Sequence, residues 1–220
     1  MTTDTEEAQV AQNVARWLLD IGVVALSPRK PYTWASGVSS PIYCDCRRIM
    51  SFPPARTSIE DSWAALVRAT WPEVRGIVGV ATGGIPHAAF VAERLGLPMG
   101  YVRAAAKGHG LGKRLEGALE KGTPVVVLED LVSTGTSLLD AVKAASEEGL
   151  RVLGATAVFT YELPQASENF GKAGVRLVTL TRLSAVRDLA RASGALSAED
   201  LTLLSQGMES VVQQLRSRQA

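Results

Sequence analysis

Hydrophobic and polar positions divide this 220-residue chain into an irregular first third and a regular remainder. Apolar residues recur at helical spacing in two early segments, which predicts helices over Thr3–Asp20 and Ile59–Ala69. The segment between them, residues 27–54, contains five prolines, which break it into short extended pieces and turns. We therefore expect two N-terminal helices on either side of an irregular segment.

From residue 71 onward, apolar runs alternate with helical segments. Helices are predicted from Pro86 through Leu95, from Ser137 to Glu148 and again from Ser197 onward. Strands that are apolar on both faces and alternate with helices are typical of a parallel sheet covered on both sides. The pattern therefore predicts an α/β fold. The predicted strands are Gly76–Ala81, Pro98–Arg103, Val125–Asp130, Arg151–Thr160 and Val175–Leu180.

Composition and charge narrow the class of protein. Apolar residues make up 46% of the chain and charged residues 20%, as in globular proteins, and a net charge of +1 offers no strong field to nucleic acid or membranes. The acidic N-terminus does not resemble a secretory signal, and no window approaches the ~20 apolar residues that span a bilayer. We expect one cytoplasmic domain that binds neither nucleic acid nor membranes.

The two cysteines, Cys44 and Cys46, are separated by a single residue. That spacing disfavours a disulfide between them, and two thiols alone do not make a zinc site. We expect a pair of half-buried thiols in a reducing compartment.

The strongest candidate site follows the predicted strand Val125–Asp130. The strand ends in Glu129 and Asp130, and residues 133–137 (Ser-Thr-Gly-Thr-Ser) precede the next helix. Small side chains let backbone N–H groups approach a phosphate, and the start of a helix adds favourable partial charge. The loop lacks the lysine of a nucleoside-triphosphate loop, and the two acids suit ribose hydroxyls or a magnesium shell. Together they predict a site for a ribose 5-phosphate.

A purely structural interpretation of the same segment stays open. In that interpretation, Ser133 or Thr134 caps the helix and the acids are favoured by its positive end. An acidic pair at the end of a fully apolar strand is harder to explain in this way, because buried charge is costly.

A second candidate segment, residues 103–117, combines glycines with cations. Glycine at this density makes a rigid element improbable, and a loop carrying Lys and His is suited to close over an anionic substrate. The alternative is a solvated basic hairpin. The residues concerned are Gly108, Gly110, Gly112, Gly117, Arg103, Lys107, His109, Lys113 and Arg114.

These motifs resemble those of a known family. The stretch VVVLEDLVSTGTS (125–137) resembles the signature by which type I phosphoribosyltransferases bind 5-phospho-α-D-ribosyl 1-diphosphate (PRPP). The VR…K-x-H-G…EG arrangement of residues 102–117 and the YTWASGVSSPIYCD stretch of residues 32–45 are similar to orotate phosphoribosyltransferases. The resemblance runs from about Trp17 to about Leu180.

The resemblance implies the type I phosphoribosyltransferase fold, a mostly parallel five-stranded core sheet flanked by helices with a small N-terminal hood. Residues 1–70 would supply N-terminal helices and the hood over the base site, residues 71–190 the core, and residues 191–220 a C-terminal helical segment, within one compact domain.

The implied reaction transfers the 5-phosphoribosyl group of PRPP to orotate, giving orotidine 5'-monophosphate and pyrophosphate in UMP biosynthesis. The family also implies a homodimer with shared active sites, and Mg²⁺ held through PRPP and water without direct protein ligands. Two alternatives are a phosphoribosyltransferase for another base and a PRPP-sensing regulatory protein. The first would lack the 103–117 pattern, and the second would tend to carry a basic face or an added DNA-binding domain.

The resemblance also implies roles for individual residues. Lys107, His109 and Asp130 would be catalytic, and Ser133, Tyr43 and Cys44 would contact orotate. PRPP binding is implied for Arg103, Lys107, His109, Glu129, Asp130, Leu131, Val132, Ser133, Thr134, Gly135, Thr136, Ser137, Thr82 and Gly83.

The chain departs from the family pattern at several positions. Ala104 stands where a second basic residue is common, so one pyrophosphate contact is either missing or supplied by Lys113 or Arg114. Ala35 replaces a lysine of some members, and residues 159–163 (FTYEL) lack an arginine for the orotate carboxylate. We predict that Arg47 takes that role, because it follows the strand that covers the base.

His87 ends the stretch TGGIPH (82–87), which resembles the pyrophosphate loop of the family. It starts a helix beside two alanines. A functional role and a packing role are therefore both open for His87.

Overall fold

A central six-stranded sheet with helices on both faces organises the chain in the computed structural model, which describes residues 4–104 and 113–218. The helices are α1 (Asp4–Asp20), α2 (Pro53–Thr70), α3 (Gly84–Leu95), α4 (Thr136–Glu147), α5 (Pro164–Ala173), α6 (Leu183–Ala192) and α7 (Ala198–Ser217). The strands are β1 (Val24–Leu26), β2 (Tyr32–Thr33), β3 (Ser39–Ser40), β4 (Ile42–Cys44), β5 (Gly76–Val80), β6 (Met99–Val102), β7 (Leu115–Glu116), β8 (Pro124–Val132), β9 (Arg151–Thr160) and β10 (Leu177–Arg182).

The strand order of the main sheet is β10-β9-β8-β5-β6-β7. The first five strands are parallel, and β7 pairs antiparallel with β6 at one edge. The predicted α/β fold with a five-stranded parallel core is thereby confirmed. The two-residue β7 was not predicted, because it has too few positions to show an apolar pattern.

Alternate residues of β8 face opposite sides of this sheet. Val126 and Leu128 lie in a hydrophobic cluster with α1, α2 and α3, whereas Val125 and Val127 lie in a second cluster with α4 and α5. All four side chains are fully buried. Burial on both faces explains why this strand reads as an unbroken apolar run.

Three helices differ from the sequence prediction. The helix predicted at Ile59 begins at Pro53, because a proline in the first turn needs no N–H donor and has a helical φ. The helices α5 and α6 were not predicted. The first is short and polar, and the second follows β10 without an intervening loop.

The hood is the segment between α1 and α2, residues 21–52, and it consists of the short strands β1 to β4 and a 3₁₀ helix, Cys46–Ser51. The strands β1 and β4 pair antiparallel, as do β2 and β3. The Trp34 ring packs against Tyr161 with centroids 4.8 Å apart, and its indole N–H donates to the Ile42 carbonyl at 2.9 Å. Because Tyr161 directly follows β9, this contact joins the hood to the carboxyl end of the sheet.

Both cysteines are more buried than the sequence suggested. The exposed fractions are 7% for Cys44 and 1% for Cys46, and the two free thiols have their sulfur atoms 3.6 Å apart. They pack in the hydrophobic core beneath the hood. Among the helices of the described ranges, none combines the length and apolarity that a bilayer crossing requires.

Candidate active site

An acidic pair near the end of β8 is the centre of the site. Glu129 is only 9% exposed, and its Oε1 accepts a 2.8 Å hydrogen bond from the Ser137 hydroxyl. Its Oε2 has no hydrogen-bond partner in the described part of the chain. Burial raises the pKa of Glu129 to about 7 and also raises the pKa of Asp130. The pair therefore has free acceptor capacity in an environment that disfavours uncompensated negative charge.

The loop that follows β8 makes its turn at Gly135. This residue has φ = +78°, and a Cβ added to it would lie 2.4 Å from the Phe170 ring, so only glycine fits. Gly135 is also the residue that precedes α4, and no side chain caps the helix. The alternative in which Ser133 or Thr134 caps α4 is therefore wrong.

The backbone of this loop is open to a ligand. Within residues 4–104 and 113–218, the N–H groups of Ser133, Thr134 and Gly135 donate to no protein acceptor. The side-chain amide of Asn169 on α5 donates to the Thr134 carbonyl at 3.0 Å and so attaches the loop to α5. The Thr134 and Thr136 hydroxyls lie 3.0 Å apart. Free amides at the start of a helix form an anion site.

Two further predicted residues, Leu131 and Val132, lie between the acids and the loop. Val132 is fully buried, and Leu131 is half-buried against the core. Their side chains are therefore structural, and a contact with PRPP would come from their backbone.

A second loop adjoins the acidic pair, because β5 is the neighbour of β8. A Cβ on Gly83 would lie 2.6 Å from the Asp130 carboxylate, and one on Gly84 would lie 2.6 Å from the Leu128 carbonyl. The Ala81–Thr82 peptide bond is cis, and Thr82 is exposed. Residues 82–84 thus lie against the acidic pair, as expected for one site built from two loops.

His87 lies behind this loop. It is fully buried, and its Nδ1 lies 2.5 Å from Oε1 of the equally buried Glu60 on α2. The ring also packs at 5.4 Å from Trp63. A fully buried ring cannot touch a ligand, so the packing role is the one that the structure supports.

The glycine-rich segment leaves and rejoins the sheet through β6 and β7. Arg103 donates to the Glu116 carboxylate at 3.1 Å, and its N–H bonds to the Arg114 carbonyl. Arg114 itself holds both carboxylate oxygens of Asp140, at 3.1 and 2.5 Å. Lys113 and Arg114 are the two candidates to replace the basic residue missing at position 104. Lys113 is the less constrained of the two, with 61% of its side chain exposed. Lys107 and His109 lie outside the described residues.

The hood contributes Tyr43 and Arg47. Tyr43 is 40% exposed and packs at 5.7 Å from Tyr32. Arg47 donates to Asp45 at 2.6 Å and so holds the pKa of that carboxyl below its usual value. The Cys44 side chain is buried, so only its backbone is available for the predicted base contact.

The family of this chain follows from its similarity to known proteins. Residues 56–169, which include both loops, match a phosphoribosyl transferase domain model. An orotate phosphoribosyltransferase of Streptococcus mutans is 49% identical over 200 residues, which covers 91% of this chain and 96% of the relative. This chain belongs to the orotate phosphoribosyltransferase family.

Solved structures agree with this assignment. The orotate phosphoribosyltransferase of Aeropyrum pernix is 31% identical, with a TM-score of 0.72 over 84% of this chain and 99% of that one. The Mycobacterium tuberculosis enzyme in complex with PRPP is 26% identical, with a TM-score of 0.62 over 82% of this chain and 98% of that one.

Several residues that shape this orotate phosphoribosyltransferase were not found from the sequence. Asn169 and Phe170, which position the phosphate loop, lie on the unpredicted helix α5. Glu60 had a signal that could have been used, since it is a charged residue on the buried face of α2, next to Ile59 and one turn before Trp63.

Proposed function

We propose that this enzyme uses the site at the carboxyl end of β8 to transfer the 5-phosphoribosyl group of PRPP to orotate, giving orotidine 5'-monophosphate and pyrophosphate. The observation that carries the assignment is the pairing of a buried acidic pair with a loop of free amides on one strand–helix junction. Loop amides that can bind an anion, next to carboxylates that can accept hydrogen bonds from hydroxyl groups, match the phosphate and the hydroxyls of a ribose 5-phosphate.

The 5'-phosphate binds the loop of residues 133–137. Its oxygens accept hydrogen bonds from the free N–H groups of the loop, and the start of α4 adds favourable partial charge. The exposed hydroxyl of Thr136 adds a further donor. Gly135 and Asn169 hold the backbone in this shape before the ligand arrives.

The ribose hydroxyls donate to Glu129 and Asp130. As the bond to pyrophosphate breaks, positive charge develops on the ribose ring. Two carboxylates in a buried site stabilise that charge more strongly than they would in water. The same developing charge favours ionisation of Glu129, whose pKa of about 7 in the free enzyme leaves it part-protonated at neutral pH.

The departing pyrophosphate is neutralised by cations of the glycine-rich segment. Arg103, Lys107 and His109 are the proposed contacts, with Lys113 in place of the basic residue missing at Ala104. Thr82 and Gly83 complete this side of the site, because their loop lies against Asp130.

Orotate lies under the hood. Its ring contacts Tyr43, Ser133 and the backbone of Cys44, and its carboxylate pairs with Arg47. The exposed guanidinium of Arg47, on the 3₁₀ helix that follows β4, supports this position. The reaction needs no protein nucleophile, because a ring nitrogen of orotate attacks the anomeric carbon with inversion while the protein positions both reactants.

The residues present fit a Mg²⁺ ion held mainly through PRPP and water. Glu129 has a carboxylate oxygen without a hydrogen-bond partner in the described residues, and Asp130 is its neighbour in the chain. These carboxylates can accept hydrogen bonds from water bound to the ion. When bound, Mg²⁺ would neutralise charge on the pyrophosphate. Glu129 and Asp130 would orient the ribose hydroxyls on which this arrangement depends.

We further propose a cytoplasmic homodimer in which the glycine-rich segment of one subunit serves the phosphate loop of the other. Mixing Lys107→Ala subunits with Asp130→Asn subunits tests the sharing. A shared site predicts that activity returns to a fraction of the wild-type rate, because one of the two sites in a mixed dimer carries neither substitution. Subunits that exchange without recovery of activity would contradict it.

The acceptor is tested by following loss of orotate absorbance with PRPP and Mg²⁺, beside parallel reactions with uracil, adenine and hypoxanthine. We expect turnover with orotate alone. Turnover of one of the other bases at a higher kcat/KM would overturn the proposed acceptor.

A further inference from the structure

The C-terminal helix α7 crosses the hood and contacts it along its whole length. Near the start of the helix, Arg29 of the hood forms ion pairs with Glu199 at 2.9 Å and Asp200 at 2.8 Å. In the middle, a Cβ added to Gly207 would lie 2.7 Å from Cγ of Pro41, so the helix backbone and the hood are in close contact.

The end of α7 binds the hood backbone. The Gln214 amide accepts a hydrogen bond from the Ser39 N–H at 3.0 Å and donates to the Ser39 carbonyl at 3.2 Å. One side chain thus satisfies both backbone groups of a β3 residue, as a neighbouring strand would. Arg218 donates to the carbonyls of Ser36 and Gly37 in the adjoining turn.

The same helix is anchored to the core of the enzyme. Leu204 and Val211 are buried against that core. The Gln165 amide on α5 donates to the Val212 carbonyl at 3.2 Å, and Arg216 lies 3.5 Å from Glu168 of α5. Since α5 also carries the side chains that position the phosphate loop, α7 links the hood to the phosphate side of the site.

The hood has little cohesion of its own. Its four strands contain only two or three residues each, and isolated pairs of this size are marginal in water. Buried side chains such as Ile42 and Cys46 anchor the hood in the core, and its outer part is held by three sets of contacts with α7 and by the Trp34–Tyr161 contact.

We propose that α7 is a brace that sets the position of the hood over the phosphoribosyl site, with Gln214 and Arg218 as positioning residues for orotate. This inference rests on the proposed placement of orotate under the hood. PRPP contacts come from the loops after β5, β6 and β8, whereas the hydrogen bonds that Gln214 and Arg218 make outside α7 go to the hood. Loosening the brace therefore weakens orotate binding selectively.

Adjacent identical residues provide a matched pair for the test. The Gln214 side chain contacts the hood, whereas the Gln213 side chain is exposed and makes no hydrogen bond within the described ranges. Gln214→Ala and Gln213→Ala change helix propensity equally. Gln214→Ala removes the two hydrogen bonds to Ser39 together with contacts to Ser210 within α7. Loss of the two bonds to the hood predicts roughly a 10-fold higher KM for orotate, with KM for PRPP within about twofold of wild type. Gln213→Ala keeps both constants.

A second variant separates positioning from general damage. Gln214→Glu keeps the acceptor for the Ser39 N–H but loses the donor, so its KM for orotate should fall between those of wild type and Gln214→Ala. Equal increases in the KM of both substrates, or identical behaviour of Gln214→Ala and Gln213→Ala, would overturn the brace.

Arg47→Ala in the hood distinguishes failure of the brace from failure of the orotate placement. If Arg47→Ala raises KM for orotate but Gln214→Ala does not, the brace is refuted and the placement stands. If neither variant changes KM for orotate, the placement of orotate under the hood is refuted. An effect of Gln214→Ala alone supports the brace and removes Arg47 from the orotate site.

Discussion

The hydroxyl of Ser137 donates a 2.8 Å hydrogen bond to Oε1 of Glu129, which ties the first turn of α4 to the acid near the end of β8. The phosphate loop between them is therefore closed by a contact of its own. The other carboxylate oxygen of Glu129, Oε2, is a buried acceptor without a partner in the described residues. The electrostatics of that buried acid lead to the first prediction.

Glu129→Gln should stabilise the ligand-free enzyme above neutral pH. Burial raises the pKa of Glu129 from 4.5 to about 7, so the stability that its proton contributes is present below pH 4.5 and lost as pH rises through 7. Glutamine carries no charge at any pH. The variant should come close to wild type in urea unfolding at about pH 4 and exceed it at about pH 8 by on the order of 3 kcal/mol. A difference that does not change with pH would contradict the buried charge, and activity should fall in both conditions.

Gly135→Ala should damage the phosphate loop. The residue has φ = +78°, and the added methyl would meet the Phe170 ring, so we expect a loss of roughly 2 kcal/mol in stability together with a higher KM for PRPP. Gly171→Ala is the control, because a Cβ there meets nothing within 4 Å. Similar effects of the two substitutions on KM for PRPP would argue against a special role for Gly135.

Removing either partner of the buried Glu60–His87 pair should destabilise the enzyme. Each alanine variant leaves a buried polar group unpaired, which costs about 3–5 kcal/mol when the partner is charged. The double variant should cost less than the sum of the two single variants. Additivity within about 0.5 kcal/mol in urea unfolding would show that the two side chains are not coupled.

Lys107→Ala should lower kcat by roughly 10²-fold or more and change KM for PRPP less, if the ammonium acts mainly on the departing pyrophosphate. Lys143→Ala on α4 is the charge-matched control, since Lys143 is 75% exposed and pairs only loosely with Glu147. An unchanged kcat in Lys107→Ala would remove its catalytic role.

The sequence predicted those parts of the molecule in which one local pattern decides the structure. The apolar run of β8 and the small residues after it were enough to predict the strand, the helix α4 and the loop between them. Contacts between distant segments left no such pattern. Asn169 reaches the loop from a helix that was not predicted, and Gln214 reaches Ser39 from the far end of the chain. The role of His87 depended on its partner Glu60, which only the packing of α2 on α3 brings near it.

The central claim is that the β8–α4 junction holds the ribose 5-phosphate of PRPP. A crystal structure of the enzyme with PRPP and Mg²⁺ tests it most directly. We predict the 5'-phosphate within about 3 Å of the N–H groups of Ser133, Thr134 and Gly135, and the ribose hydroxyls on Glu129 and Asp130. A phosphate bound elsewhere, with these amides and carboxylates facing only water, would contradict the account.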